Sequence, residues 1–238
     1  ENGKLTSSRE YTNESVLVGE GMYDANGNRS GTWKLYDGYW EYFYAEGKYY
    51  KGKKEGLWKF YYSNGEEEMR GSFENDLPSG EWTWLYPSGI ERRTEMYYDG
   101  VLEGPYTERD SLGNMIVKGS YSEGLKHGEW ETTVGEITEK GTYQNDDKTG
   151  EWKAHYTANG KLRFSGKYRN GSPIGVHKWL YPNGKTEIDG EYRGGLEHGT
   201  WHKYNPDGSI YLSKTYRYGK LIKIDGVKVG ESKKGRKK

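Results

Sequence analysis

The sequence predicts an all-β protein: an elongated, single-layer antiparallel sheet of about eight β-hairpin repeats of 24 residues each. Three observations lead to this prediction. The 238 residues include 36 glycines and 37 aromatic residues, whereas Leu, Ile, Val and Phe together number only 34. Glycines and aromatic residues recur at a near-constant spacing, and within each repeat apolar and polar residues alternate with a period of two. The chain is therefore expected to fold around rings laid against glycine rather than around an aliphatic interior.

Composition excludes several classes of protein. The chain has no cysteine, which rules out disulfide scaffolds, cysteine-based zinc sites and thiol catalysis. Lys and Arg together number 36, as do Asp and Glu, so a nucleic-acid binder driven by phosphate contacts is not expected. No apolar run reaches the roughly 18 residues of a transmembrane helix. The chain begins at Glu1 instead of Met, which we interpret as a processed product or an excerpt.

A Gly-x-Trp motif, or a near variant, recurs eight times with 22 to 25 residues between successive glycines. Five copies supply the structural residues of the repeat: Gly56 and Trp58, Gly80 and Trp82, Gly128 and Trp130, Gly150 and Trp152, and Gly199 and Trp201. The other three copies are Gly31 and Trp33, Gly104 and Tyr106, and Gly175 and His177. A second aromatic column lies between these motifs: Tyr49, Phe73, Tyr97, Tyr121, Tyr143, Tyr168, Tyr192 and Tyr216. A glycine precedes most members of this second column by two residues.

Each repeat is expected to form two short strands and two turns. Trp58, Phe60 and Tyr62 lie two residues apart, which is the period at which strand side chains share a face. Asn-Gly and Asp-Gly pairs mark the turns, as at residues 63–65 and 206–208. A glycine two residues before an aromatic residue leaves bare backbone, over which a ring from a neighbouring strand can lie. The repeat thus predicts a ladder of rings along one face of the sheet.

The same pattern divides the chain into four segments. Residues 1–30 form an N-terminal segment with a cap strand at 16–18, and residues 31–220 form the repeat array. Residues 221–229 have a different composition around an Asp-Gly pair and are expected to form a C-terminal capping hairpin, since such sheets need protected ends. Residues 230–238 are interpreted as a basic, disordered tail, and any membrane contact is expected only through this tail.

The repeat resembles the MORN repeat, and especially its bacterial variant, in which Gly-x-Trp-x-x-Tyr-Tyr-x-Asn-Gly is followed by Gly-x-Tyr-x-x-Gly. The matching segments are residues 56–65, 80–89, 166–184 and 190–208, and the resemblance covers about residues 21–220. It implies an elongated, curved single sheet of hairpins that acts as a scaffold. The bacterial variant includes the YwqK-like antitoxins, which implies protection against a partner toxin. Strings of this variant also occur in secreted and surface proteins.

The repeat is least regular at residues 33–62, where 13 of 30 residues are aromatic. Two strand registers compete there, because the motif beginning at Gly38 matches as well as the one beginning at Gly31. Either the extra rings pack as the core of an N-terminal cap, or they form an exposed patch that binds a partner. The candidate binding residues are Tyr39, Trp40, Tyr42, Phe43, Tyr44, Tyr50 and Tyr61. Three other deviations, Tyr106, His177 and a shortened fifth repeat, are attributed to drift in a tolerant array.

No catalytic chemistry is expected. The five histidines share no helical face, and neither a nucleophile elbow nor a phosphate loop nor a dinucleotide fingerprint occurs. We therefore expect no enzyme, no metal site and no cofactor. The favoured function is a bacterial scaffold that binds another protein, either a toxin or an assembly subunit. The alternatives are a cell-wall or glycan-binding module and a structural subunit of a secreted or surface assembly, and export is favoured over a cytoplasmic location.

Overall fold

The computed structural model describes residues 6–39 and 42–229. It contains twenty β-strands, and no helix occurs in this part of the chain. The paired strands are antiparallel and consecutive in the sequence. The predicted all-β sheet of hairpin repeats is therefore confirmed. The chain divides into two compact units, Glu1–Gly124 and Leu125–Lys238.

In the first unit, each strand pairs with its neighbours in sequence to form an open antiparallel sheet. Its ten strands are β1 (Thr6–Tyr11), β2 (Leu17–Tyr23), β3 (Arg29–Tyr36), β4 (Phe43–Tyr50), β5 (Lys53–Tyr61), β6 (Glu67–Glu74), β7 (Leu77–Leu85), β8 (Glu91–Tyr98), β9 (Val101–Arg109) and β10 (Met115–Ser122). The expected cap strand at 16–18 overlaps β2, and β1 pairs with the outer side of β2. The segment at 16–18 is therefore the second strand of this sheet rather than the first.

The second unit repeats the arrangement with ten further strands. They are β11 (Leu125–Val134), β12 (Ile137–Gln144), β13 (Asp147–Tyr156), β14 (Leu162–Arg169), β15 (Ser172–Leu180), β16 (Thr186–Arg193), β17 (Leu196–Tyr204), β18 (Ile210–Arg217), β19 (Lys220–Ile224) and β20 (Val227–Lys228). A turn at Asp225 and Gly226, both with positive φ, joins the last two strands into a hairpin. The predicted basic tail at 230–238 lies outside the described residues.

One face of each sheet carries the Trp rings, and we call it the ladder face. Each of six repeat rings lies flat on a glycine of the preceding strand, where a Cβ would come within 2.0 to 2.5 Å of the ring. The six glycines and their rings are Gly21 and Trp33, Gly47 and Trp58, Gly71 and Trp82, Gly141 and Trp152, Gly166 and His177, and Gly190 and Trp201. The prediction that glycine makes room for a ring is therefore confirmed for these six glycines. Each lies two residues before a Tyr or Phe of the second aromatic column, or before the equivalent tyrosine nearer the N-terminus.

The other glycine column has a different role, and here the expectation was wrong. Gly56, two residues before Trp58, has a φ of +65° and nothing within 4 Å of the position a Cβ would take. It lies where the register between β4 and β5 shifts, so it forms part of a bulge. Glycine is needed at this position for its left-handed backbone and not for space.

Tyr and Phe rings complete the ladder by meeting the Trp rings edge to face. Trp58 lies between Tyr49 and Phe73, with ring centroids 5.0 and 6.1 Å away. In the second unit Trp152 lies between Tyr143 and Tyr168, at 5.0 and 6.3 Å. Such edge-to-face contacts add to the stabilisation from burial. Trp58 is consequently 0% exposed although the sheet has only one layer.

Candidate functional site

The structure does not bring the seven predicted binding residues together. Tyr44 packs against the buried cluster of the ladder face. Tyr39 is 79% exposed in the turn after β3, whereas Tyr50 is exposed at the far end of β4. Tyr42 is half-buried, and its carbonyl accepts a hydrogen bond from the Asp37 amide at 2.8 Å. Trp40 lies outside the described residues.

Two of the seven, Phe43 and Tyr61, meet on the face opposite the ladder. Their ring centroids are 4.8 Å apart, and Tyr36 lies 6.0 Å from Phe43 on its other side. We call Tyr36, Phe43 and Tyr61 the aromatic patch. All three rings are half-buried, so part of each remains accessible. Sequence reasoning did not single out Tyr36, although its position three residues after Trp33 matches that of Tyr61 after Trp58.

A β-bulge places Phe43 in this patch. Leu35 pairs with Ala45 but Tyr36 pairs with Phe43, so Tyr44 is the extra residue between two pairs. Side chains alternate between faces along a strand, and one inserted residue reverses that alternation. Without the bulge Phe43 would share the ladder face with Ala45. With it, Phe43 lies beside Tyr36 on the opposite face.

Hydrogen bonds to carboxylates hold two of the rings in place. The Tyr36 hydroxyl donates to Glu20 and the Tyr61 hydroxyl to Glu46, each at 2.8 Å. Burial, together with the hydrogen bond to Glu46, raises the pKa of Tyr61, and burial with the bond to Glu20 raises that of Tyr36. Both hydroxyls therefore remain protonated donors at neutral pH, and the rings are held in one orientation.

Charged residues surround the patch on the same face. The Lys34 ammonium lies 5.8 Å from the Phe43 ring centroid. Glu67 pairs with Lys59 at 3.3 Å and with Arg70 at 2.8 Å. The patch is thus an apolar centre with a charged rim, which is the composition of many protein-binding surfaces.

The ladder face carries a row of cations that sequence reasoning missed. A basic residue four positions before the repeat Trp lies over that ring in four repeats. The cation-to-centroid distances are 4.5 Å for Arg29, 4.8 Å for Lys54, 4.4 Å for Lys126 and 3.8 Å for Lys148. Burial lowers the pKa of Lys54. The four-residue spacing between a basic residue and the following Trp could have revealed this row in the sequence. In the structure these basic side chains cover the rings.

Two of the deviations attributed to drift, Tyr106 and His177, have a structural reason. Glu95 occupies the position that glycine holds under the ring in other repeats, and Tyr106 replaces the Trp that would lie on it. Glu95 is only 6% exposed, and it accepts a hydrogen bond from Tyr97 at 2.6 Å and pairs with Arg93 at 3.1 Å. A glutamate leaves no room for a flat indole, so the two substitutions fit each other.

His177 takes the place of Trp in the seventh repeat and reproduces its hydrogen bond. The indole Nε1 of Trp58 donates to the Lys48 carbonyl at 3.1 Å, and His177 Nε2 makes the equivalent contact with the Lys167 carbonyl at 3.0 Å. Because that partner is an acceptor, His177 carries its proton on Nε2. It is 1% exposed, and burial lowers its pKa.

No protein-family model matches the chain, and no curated protein matches it. Among residues 6–39 and 42–229, no three His, Asp or Glu side chains are grouped so that they could hold a metal ion. The described part of the chain also lacks any helix long and apolar enough to cross a membrane.

Proposed function

We propose that the chain is a non-catalytic scaffold, built from MORN-like repeats, that binds another protein through the aromatic patch. The supporting observation is the patch itself: three partly accessible rings lie together on the face opposite the ladder, with charged residues beside them. Aromatic residues at the centre and charges at the rim are typical of protein interfaces. Because Glu20 and Glu46 already hold two of the rings, those rings lose little side-chain entropy when a partner docks there.

In its sharper form the proposal is an antitoxin or immunity protein whose partner is a bacterial toxin. The resemblance to the bacterial MORN variant supports this form. The direct test is co-expression with a toxin encoded beside the gene. Cells should survive with the unaltered protein and die with a variant whose patch is disrupted.

The first experiment measures capture of a stoichiometric partner from the source cells by the immobilised protein. Phe43→Ala removes the central ring, and Lys34→Ala removes an exposed rim charge. The Phe43→Ala variant should capture at least about tenfold less partner, as expected for a central residue of an interface, and the rim variant should show a smaller loss. The matched control is Tyr98→Ala, since Tyr98 is 76% exposed in the same unit and lies outside the patch.

Capture that is equal for all four proteins would contradict the proposal. Thermal unfolding of each variant shows whether a loss of capture merely reflects unfolding. If no protein is captured and the unaltered chain instead cosediments with purified cell wall, the glycan-binding alternative is favoured.

A further inference from the structure

The second unit has a cavity at the point where its ladder lacks a ring. In three other repeats an aromatic residue two positions after the repeat ring packs against that ring at a tilt. Phe60 lies 6.2 Å from Trp58, Trp84 lies 5.9 Å from Trp82, and Trp179 lies 6.1 Å from His177, with interplanar angles of 32° to 42°. Ala154 occupies this position after Trp152.

A cavity of 430 Å³ lies above Ala154, open to solvent on the ladder face. Ala154 and Phe164, both buried, form its floor, and the half-buried Ile137, Tyr168 and Trp179 form its walls. Its volume is within the range of natural ligand sites, roughly 300 to 1,000 Å³. The shortened fifth repeat borders it, since Val134 and Ile137 flank the tight turn that replaces the longer one.

We propose that this cavity receives an aromatic side chain from a partner protein, which supplies the ring that the repeat lacks. The proposal rests on the protein-binding function proposed above and locates a second contact in the other unit. The chain's own repeats indicate what fits, because a Phe or Trp ring fills the equivalent position at three other places. Aromatic residues seated in well-packed pockets are also enriched among interface anchors.

The polar groups at the rim favour a neutral ring over a sugar or a cation. Glu139 is bound by the Lys148 ammonium at 2.9 Å through both carboxylate oxygens. Arg163 pairs with Glu187 at 2.6 Å and donates to the Leu180 carbonyl at 3.2 Å. Rim charges are therefore already balanced, so a cation gains little there. A sugar would bring several hydroxyl groups that each need a hydrogen-bond partner.

The test is a titration of the full chain with N-acetyl-L-tryptophanamide, followed by NMR at the Trp179 indole. We expect saturable shifts with a millimolar dissociation constant, a range open to a small ligand of about 18 heavy atoms. Ala154→Phe fills the cavity and should weaken binding at least about tenfold, as expected when an anchor pocket is lost. Val134→Glu, at an exposed position on the rim, should also weaken binding, whereas the matched control Val176→Glu, also exposed, should not.

Three results would overturn the inference: no saturable shift at Trp179, unchanged affinity in both cavity variants, or tighter binding of N-acetylglucosamine than of the tryptophan amide. The last result would assign the cavity to a sugar. Failure here is distinguishable from failure of the proposed function, because partner capture through Phe43 is measured separately. Capture that depends on Phe43 but is unaffected by Ala154→Phe would leave the scaffold proposal standing and exclude this cavity from it.

Discussion

Replacing Gly71 with alanine should destabilise the first unit by far more than a glycine-to-alanine change in an ordinary strand. The Trp82 ring lies flat on Gly71, and an added Cβ would fall 2.1 Å from its Cδ2 atom. No real Cβ contact is that short, so the ring must lift. Lifting it breaks the bond from Nε1 to the Ser72 carbonyl, now 3.1 Å long, and weakens the edge contacts with Phe73 and Tyr97.

The magnitude follows from these losses. Forcing an extra carbon into a packed site costs about 2 kcal/mol. The lost indole hydrogen bond costs about 1 kcal/mol, and the two weakened ring contacts together cost about 1 kcal/mol. Alanine restricts the unfolded chain more than glycine and returns about 0.7 kcal/mol. We therefore expect the free energy of unfolding to fall by about 3 kcal/mol.

Urea unfolding followed by far-UV circular dichroism measures this change. Gly80 of the same repeat provides a matched control, because it needs a left-handed φ of +71° and has open space around it. Asparagine tolerates that conformation, so Gly80→Asn should cost less than Gly80→Ala, whereas Gly71→Asn should cost more than Gly71→Ala. A loss below about 1 kcal/mol for Gly71→Ala would refute the steric argument, since overpacking alone should exceed it.

Three further predictions concern single columns of the repeat. Tyr86→Phe deletes the hydroxyl that donates to the Arg109 carbonyl at 2.9 Å, and should lower the free energy of unfolding in urea by about 1 kcal/mol. Tyr106→Trp alone should destabilise the protein because the indole meets Glu95. Combined with Glu95→Gly, the same substitution should stabilise the protein. Additive effects in a double-mutant cycle would contradict this coupling. Burial lowers the pKa of His177, so the unfolded chain binds more protons than the folded chain. The contribution of His177 to stability is therefore full above the unfolded pKa of about 6.5, and it is lost as the pH drops through the lower folded pKa. His177→Trp should reduce the fall in melting temperature between about pH 7.5 and pH 5, and an unchanged slope would show that His177 does not cause it.

Much of the fold could be predicted because its determinants are local. The alternation around Trp58 and the Asn-Gly turns act within a few residues, and the regular spacing implied that every repeat has the same structure. The two glycine columns were less distinguishable. Both place glycine two residues before a ring, yet Gly47 provides space for Trp58 whereas Gly56 provides a left-handed backbone conformation. Only the pairing between strands distinguishes these roles.

The candidate site was less predictable because it depends on which face each ring occupies. Seven aromatic residues close together in sequence suggested one site, but the bulge at Tyr44 leaves Phe43 on the face opposite the ladder, while Tyr44 packs against the ladder-face cluster. One extra residue in a strand moves the side chains beyond it to the other face. The two competing registers near Gly38 left the position of that extra residue undetermined. Tyr36 entered the patch only through its pairing with Phe43.

The sequence by itself determined the strands, the turns, the repeat period and the ladder of rings on glycine, since each follows from residue order and spacing. Only the tertiary structure decided which rings share a surface, why Glu95 is matched with Tyr106, how His177 replaces Trp, and where the missing ring at Ala154 leaves a cavity. Each of these features depends on contacts between residues on neighbouring strands. Strand register determines those contacts, and a local sequence pattern does not specify the register.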